Sequence, residues 1–349
     1  MILVNNPGTW SAIYPPLQHA DWHGWTPTDL IFPFFLFIIG VSMTYSFAAR
    51  LESGAAQRQL ALHVLRRSAI IFALGLFLNG FPYFDLSKIR VPGVLQRIAV
   101  CYLCAALIYL WTQRRGQLAA IAGLLAGYWA VMTLVPVPGF GTGRLDADGN
   151  LAAYIDRALM LGHLWKPTWD PEGLLSTFPA TATVLLGGLA GEWLHSGRNR
   201  GAEALGLVAW GAAGLAAGQI WDVWFPINKN LWTSSYVIFT AGFAAVLLGL
   251  CYWIIDIKGW RRWAAPFVVY GMNAIAVFTL SGVVAKISIL WKFSLDDGRT
   301  IALKTLVFEK VFLSVASPIN ASLLFALSYV LLWLGLMWIL YARRIFIKI

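Results

Sequence analysis

Hydrophobic residues in this chain run in long unbroken blocks rather than in alternation. The blocks fall at 31–49, 68–84, 91–111, 118–136, 174–194, 202–220, 234–255, 264–289 and 321–341, each 17 residues or longer. A helix needs about 20 apolar residues to cross a hydrocarbon core roughly 30 Å thick. Lipid offers no hydrogen-bond partners, so a spanning backbone must satisfy itself as a helix or a closed barrel. Strands of a barrel would show a period of two, and these blocks do not. The pattern predicts an all-α polytopic transmembrane bundle of about ten spans, forming one domain over 1–349. Met1–Val4 is apolar from the first residue and reads as the last turn of a further span, truncated at the N-terminus.

Composition supports the membrane reading. Of 349 residues, 59% are hydrophobic and 12% charged, with mean hydropathy +0.69; soluble domains carry about 25% charged residues. The net charge of +10 does not point to nucleic acid, because the basic residues sit between the apolar blocks. Arg50, Arg58, Arg66 and Arg67, Arg114 and Arg115, Arg198 and Arg200, Lys258, Arg261 and Arg262, and Arg343, Arg344 and Lys348 occupy alternate connections. Lys and Arg in short loops mark the cytoplasmic side, which places the C-terminus inside. The opposite face receives longer loops rich in Trp, Pro, Asn, Asp and His, above all 137–173 and 291–317. Three cysteines form no disulfide framework, and Cys101 and Cys104 read as small packed residues of a helix.

Polar residues concentrate at the outer ends of the spans, where ionisable groups are costly and mark a pathway or a site. Four segments carry them. The first, within 4–40, holds Asn5-Asn-Pro-Gly8, then His19-Ala-Asp-Trp-His-Gly24, then Thr26-Pro-Thr-Asp29. The second is Arg90-Val-Pro-Gly-Val-Leu-Gln96-Arg97. Ala153-Tyr-Ile-Asp-Arg157 leads to Trp169-Asp170-Pro-Glu172-Gly173, and Phe225-Pro-Ile-Asn228-Lys229-Asn230-Leu-Trp232 precedes Tyr270-Gly-Met-Asn273. Several of these residues also have structural readings. Asp29 suits the N3 position of a capped helix, and Asp170 an N-cap followed by Pro at N1. Asp156 and Arg157 suit a surface ion pair, and the Trp residues an interfacial belt. Arg97, early in an apolar span, calls for a carboxylate or phosphate partner.

Taken in order and with their gaps, the four segments resemble the heparan-α-glucosaminide N-acetyltransferase family of transmembrane acetyltransferases, and bacterial members linked to N-acetylglucosamine use in particular. The resemblance implies an enzyme of the bacterial inner membrane. It would move an acetyl group from cytoplasmic acetyl-CoA to the amine of an extracytoplasmic, glucosamine-like amino sugar. It also implies that His19 is catalytic, and matches Asn5 to the family's preceding asparagine. An Asp-x-x-Arg-Gly stretch usual in the family is missing. Such chemistry needs a base or acyl carrier, which a histidine supplies near neutral pH. It also needs uncharged donors for the tetrahedral oxyanion, such as Asn5, with Asp29 to orient the histidine. Asp170, Glu172, Trp169, Asn228 and Trp232 are expected on the sugar, and Arg97, Gln96, Lys229, Asn230 and Asn273 on the cofactor. No metal is expected, and a homodimer is admitted but not required. An amino-sugar permease is the alternative reading of the same outward-facing polar residues.

Overall fold

The computed structural model describes residues 1–294 and 298–347. Lys348, counted above among the inner basic residues, and part of the 291–317 loop lie outside the described residues. The chain divides into two compact units, each built from helices as the apolar blocks predict.

The larger unit comprises Ala20–Trp25 and Asp29–Trp260. It contains α2 (Ile31–Glu52), α3 (Gln57–Gly80), α4 (Val94–Trp111), α5 (Arg114–Leu134), α6 (Leu151–Met160), α7 (Thr177–Leu194), α8 (Arg200–Trp221) and α9 (Ser234–Tyr252), the last followed by a π turn. The helix α7 is its inner element, with eleven of eighteen residues buried. It packs against α2, α4, α5 and α9. Small residues permit that. A Cβ on Gly40 of α2 would lie 1.9 Å from the Val184 carbonyl oxygen, and one on Gly187 of α7 1.9 Å from that of Phe37. Without a hydrophobic drive between helices in lipid, such backbone approach is what holds them together.

The smaller unit comprises Met1–His19, Thr26–Thr28 and Arg261–Ile349. It holds α1 (Ile2–Asn5), α10 (Ala265–Met272), α11 (Ala274–Leu290), a hairpin of β1 (Lys292–Ser294) and β2 (Thr300–Ala302), α12 (Leu303–Val307) and α13 (Pro318–Ala342). Ile2 and α13 share a core with Val269 and Val277.

The bounds differ from expectation in instructive places. The helix α3 starts at Gln57 rather than 68, so Arg58, Arg66 and Arg67 lie on helix and not in a loop. Arg114 and Arg115 likewise form the first turn of α5. The block 264–289 is two helices, α10 and α11, bent by 72° at Asn273. Among the described residues seven helices are long and apolar enough to cross a membrane, or eight if the bent pair is one span. The all-α polytopic bundle is as expected, and this count rests on helix length and apolarity alone. The inner helix α7 is not among them, because a helix wrapped by others can carry Thr and Gly where lipid-facing helices carry Leu and Phe.

Candidate functional site

The expected site residues divide between the two units. Asn5, His19 and Asn273 belong to the smaller one. There the chain reaches His19 through a 3-10 turn, Pro15–Leu17. The Thr26 hydroxyl donates to the Gln18 carbonyl at 2.6 Å, and the Thr28 hydroxyl to the Pro16 carbonyl at 3.1 Å. These two bonds fix the backbone leading into His19, whose ring is exposed. Asn5 is exposed at the end of α1. Asn273 stands between α10 and α11. Its amide donates to the Ile345 carbonyl and accepts from the Ile347 N–H, at 3.2 and 2.8 Å, and so ties the C-terminal segment to the α10–α11 bend.

The larger unit gathers most of the others. Asp29 lies in the 3-10 turn Pro27–Leu30 that leads into α2. Its carboxylate accepts from the Ala20 N–H at 3.0 Å and stands 3.9 Å from the Lys229 ammonium. The Tyr236 hydroxyl donates to the Asp29 carbonyl at 2.6 Å. Burial depresses the Lys229 pKa, opposed by the charges of Glu172 and Asp29.

Arg90 joins Asp170 and Glu172. Its Nε and Nη2 donate to the two Asp170 oxygens at 2.8 and 2.6 Å, and Nη2 also reaches Glu172. Asp170 accepts further from the N–H groups of Trp165 and Glu172, at 2.7 and 2.9 Å. Burial works against the Arg90 charge, but these two carboxylates outweigh it and raise its pKa. Asp170 thus has protein donors on both carboxylate oxygens. It is not the N-cap of a long helix, since α7 begins only at Thr177. Arg90 appeared in the quoted motifs without a role. The signal that could have found it was two carboxylates one residue apart, which need a cation when buried.

Asp156 also departs from expectation. It is 1% exposed and accepts from the Leu174 N–H at 2.9 Å, whereas Arg157 donates to the Thr168 carbonyl at 2.9 Å. They are not a surface ion pair. Burial raises the Asp156 carboxyl to about 6, with Asp170 adding to the rise and Arg97 and Arg157 opposing it.

Arg97 is 2% exposed on the first turn of α4. One nitrogen, Nη2, donates to the Gly173 carbonyl at 3.1 Å and to the Ser176 hydroxyl. The guanidinium lies 5.1 Å from the centre of the Trp232 ring. Its Nε and Nη1 have no hydrogen-bond partner among the described residues, and neither does the neighbouring Gln96 Nε2. Both side chains line a cavity of about 310 Å³ between α3, α4 and α7, and Glu172 lines it too. Buried donors without partners are rare and each one asks for an explanation.

Trp232 is 1% exposed, its indole N–H on Thr183 and its ring against Phe32 and Tyr236. It is a core residue. Trp169 is partly buried, edge-on to Trp22 at 5.1 Å. Asn228 is fully buried. Its Oδ1 accepts from the Leu231 N–H at 2.9 Å, and its Nδ2 lies 3.4 Å from the His23 ring. It therefore shapes the 228–232 turn in which Lys229 and the partly buried Asn230 sit.

Residues 12–217, more than half of the chain, match the family model described as heparan-alpha-glucosaminide N-acetyltransferase, catalytic. His19, Asp29, Arg97 and Asp170 lie within that stretch; Asn5 and 228–232 lie outside it. Two curated relatives, from Homo sapiens and Mus musculus, are each named heparan-alpha-glucosaminide N-acetyltransferase. Each is 31% identical over 336 residues, covering 80% of this chain and 50% of the relative. The chain thus spans about half the length of the relatives it matches. On the extent of the family match, which takes in both the fixed His19 loop and the Arg97 cavity, the chain belongs to the heparan-α-glucosaminide N-acetyltransferase family.

Proposed function

We infer that this chain acetylates the amine of an extracytoplasmic, glucosamine-like amino sugar, with acetyl-CoA as donor and His19 as base or transient acetyl carrier. The observation that carries this reading is family membership over the stretch that contains His19. The reading gains support from the Thr26 and Thr28 bonds, which hold the His19 backbone in a fixed turn. A base must be positioned before it is useful; placement of reacting groups accounts for about 7–11 kcal/mol of many barriers.

The remaining roles follow from what each residue has left to offer. The amine attacks the thioester carbonyl, and the developing oxyanion needs donors. Asn5 is exposed and supplies an uncharged one. Arg97 and Gln96 offer three unpaired N–H-bearing nitrogens to the donor. Lys229 and Asn230 belong on the same ligand. Asp29 and Glu172 bring negative charge for a sugar ammonium, and Asp170 supports Glu172 through Arg90. The protein sits in a bacterial inner membrane, C-terminus inside.

Release of CoA thiol from acetyl-CoA, with glucosamine as acceptor and purified protein in lipid nanodiscs, tests the reading. His19→Ala should lose about 10²–10⁴-fold in turnover with an unchanged thermal melt and unchanged acetyl-CoA affinity. Near-wild-type turnover by folded His19→Ala would remove the histidine from the chemistry. Glucosamine crossing the membrane without thiol release would replace the enzyme by a permease.

A further inference from the structure

The cavity beside Arg97 and Gln96 is larger and more apolar than an acetyl group requires. Its 310 Å³ is about ten times the roughly 30 Å³ share of one water. One end carries the unpartnered Arg97 Nε and Nη1 and Gln96 Nε2. The rest is walled by Phe72 of α3, Val100 and Cys104 of α4, and Leu174 and Phe178 beside and on α7. Val100, Cys104 and Phe178 are exposed, so this wall gives onto the lipid-facing side of α4. Gln96 is itself held against the backbone. A Cβ on Gly75 would stand 2.2 Å from its Oε1, and one on Gly93 2.7 Å, so its side chain packs closely over both glycines.

A ligand for such a space is polar at one end and apolar at the other, with a neutral or anionic oxygen at the junction. A phosphate alone would satisfy the donors but leave the apolar wall unused, and a plain hydrocarbon would do the reverse. An acyl thioester satisfies both, through its carbonyl oxygen and its chain.

We propose that the cavity between α3, α4 and α7 is an acyl-chain pocket. The enzyme then accepts acyl-CoA donors longer than acetyl, with the thioester oxygen on Arg97 and Gln96 and the chain along Val100 and Cys104. This rests on the acyltransferase reading above and specifies its donor class. The step is unchanged by chain length. The amine nitrogen bonds to the thioester carbonyl carbon and the carbon–sulfur bond breaks. The nitrogen's proton passes by way of the base to the departing thiolate, leaving amide and CoA thiol.

The test is thiol release with acetyl-, butyryl- and hexanoyl-CoA, with glucosamine as acceptor, in nanodiscs. One methylene in an apolar pocket changes kcat/KM by about 10–200-fold when the pocket rejects it. The wild-type protein should use hexanoyl-CoA within about tenfold of acetyl-CoA. Val100→Trp, which fills the wall from the lipid side, should lower the hexanoyl-to-acetyl ratio of kcat/KM by at least about tenfold. Cys104→Phe should act the same way, and stands in should Val100→Trp fail to fold. Acetyl transfer with no hexanoyl transfer by the wild type would overturn the pocket while leaving the acetyltransferase intact. So would equal losses on both donors in the filled variants. No turnover with any donor would overturn the function and the pocket together.

Discussion

Removing Arg90 should be costly. It is the cation shared by two buried carboxylates, with 20% of its side chain exposed. Breaking a buried pair by deleting one partner costs about 3–5 kcal/mol, because the remaining charge is stranded. Arg90→Leu should therefore lower the melting temperature sharply, and Arg90→Leu with Asp170→Leu should recover part of the loss. A melt of Arg90→Leu matching the wild type would show that the cluster holds nothing together. Asp156 gives a pH prediction of defined sign. Its folded pKa of about 6 lies above the ordinary 3.8. Its contribution to stability is therefore full below about pH 3.8 and is lost as pH rises through about 6. The loss amounts to at most about 3 kcal/mol, at 1.36 kcal/mol per unit. Asp156→Asn keeps an oxygen for the Leu174 N–H and cannot ionise, so its melt should stay flat from pH 4 to 7 where the wild type declines. Parallel curves for the two proteins would remove Asp156 as the titrating group. Both residues were visible in the sequence as charges, but not as buried ones, since burial of an outer loop is set by what covers it.

At the scale of elements, the α2–α7 seam brings two helix backbones into close approach at Gly40 and Gly187. Gly187→Ala puts a methyl 1.9 Å from the Phe37 carbonyl oxygen, and backbone cannot move aside as a flexible side chain can. Overpacking of this kind costs about 1–3 kcal/mol. Gly123→Ala on α5, which meets nothing within 4 Å, should instead be neutral or gain about 0.5–1 kcal/mol from the helix preference of Ala. Melts of the two variants in one detergent separate the effects; equal shifts would mean that the seam tolerates a wider spacing. Helix existence was legible in the apolar blocks because the lipid requirement acts on each segment alone. Helix ends were less so. Arg58, Arg66 and Arg67 looked like loop because charge breaks the apolar pattern, yet they form regular turns of α3. Peptide hydrogen bonds do not require an apolar side chain.

For the whole molecule the testable property is orientation. The alternation of basic residues predicts that Arg115 lies in the cytoplasm and the 137–173 loop outside. A cysteine introduced at Thr142, with the three native cysteines replaced, should react with an impermeant maleimide added outside, and one at Arg115 should not. Thr142 is exposed, whereas Asn150 in the same loop is buried as the N-cap of α6, accepting from the Ala153 N–H at 2.8 Å. Outside labelling at 115 with none at 142 would invert the topology. The two units share the expected site residues unequally, with His19 in the smaller and the Arg97 cavity in the larger. Sequence order hid this division, because both units draw on the segment between His19 and Asp29.

The sequence by itself determined the class of molecule, the helical architecture and the family, because each depends on local content. Apolar length, charge alternation and ordered motifs need no knowledge of neighbours. For Arg97 the sequence predicted a carboxylate or phosphate partner, and the structure gives it the Gly173 carbonyl, the Ser176 hydroxyl and the Trp232 ring. Tertiary structure alone decided which polar residues have anything left to give. Asp170 is saturated by Arg90 and two backbone N–H groups, Trp232 is sealed in the core, and Asn273 is taken up by the C-terminal segment. Gln96 and Arg97 retain unpartnered nitrogens at an apolar cavity. A residue type announces what bonds it can form, but its availability depends on partners brought from 70 or more positions away, and only the packed chain supplies those.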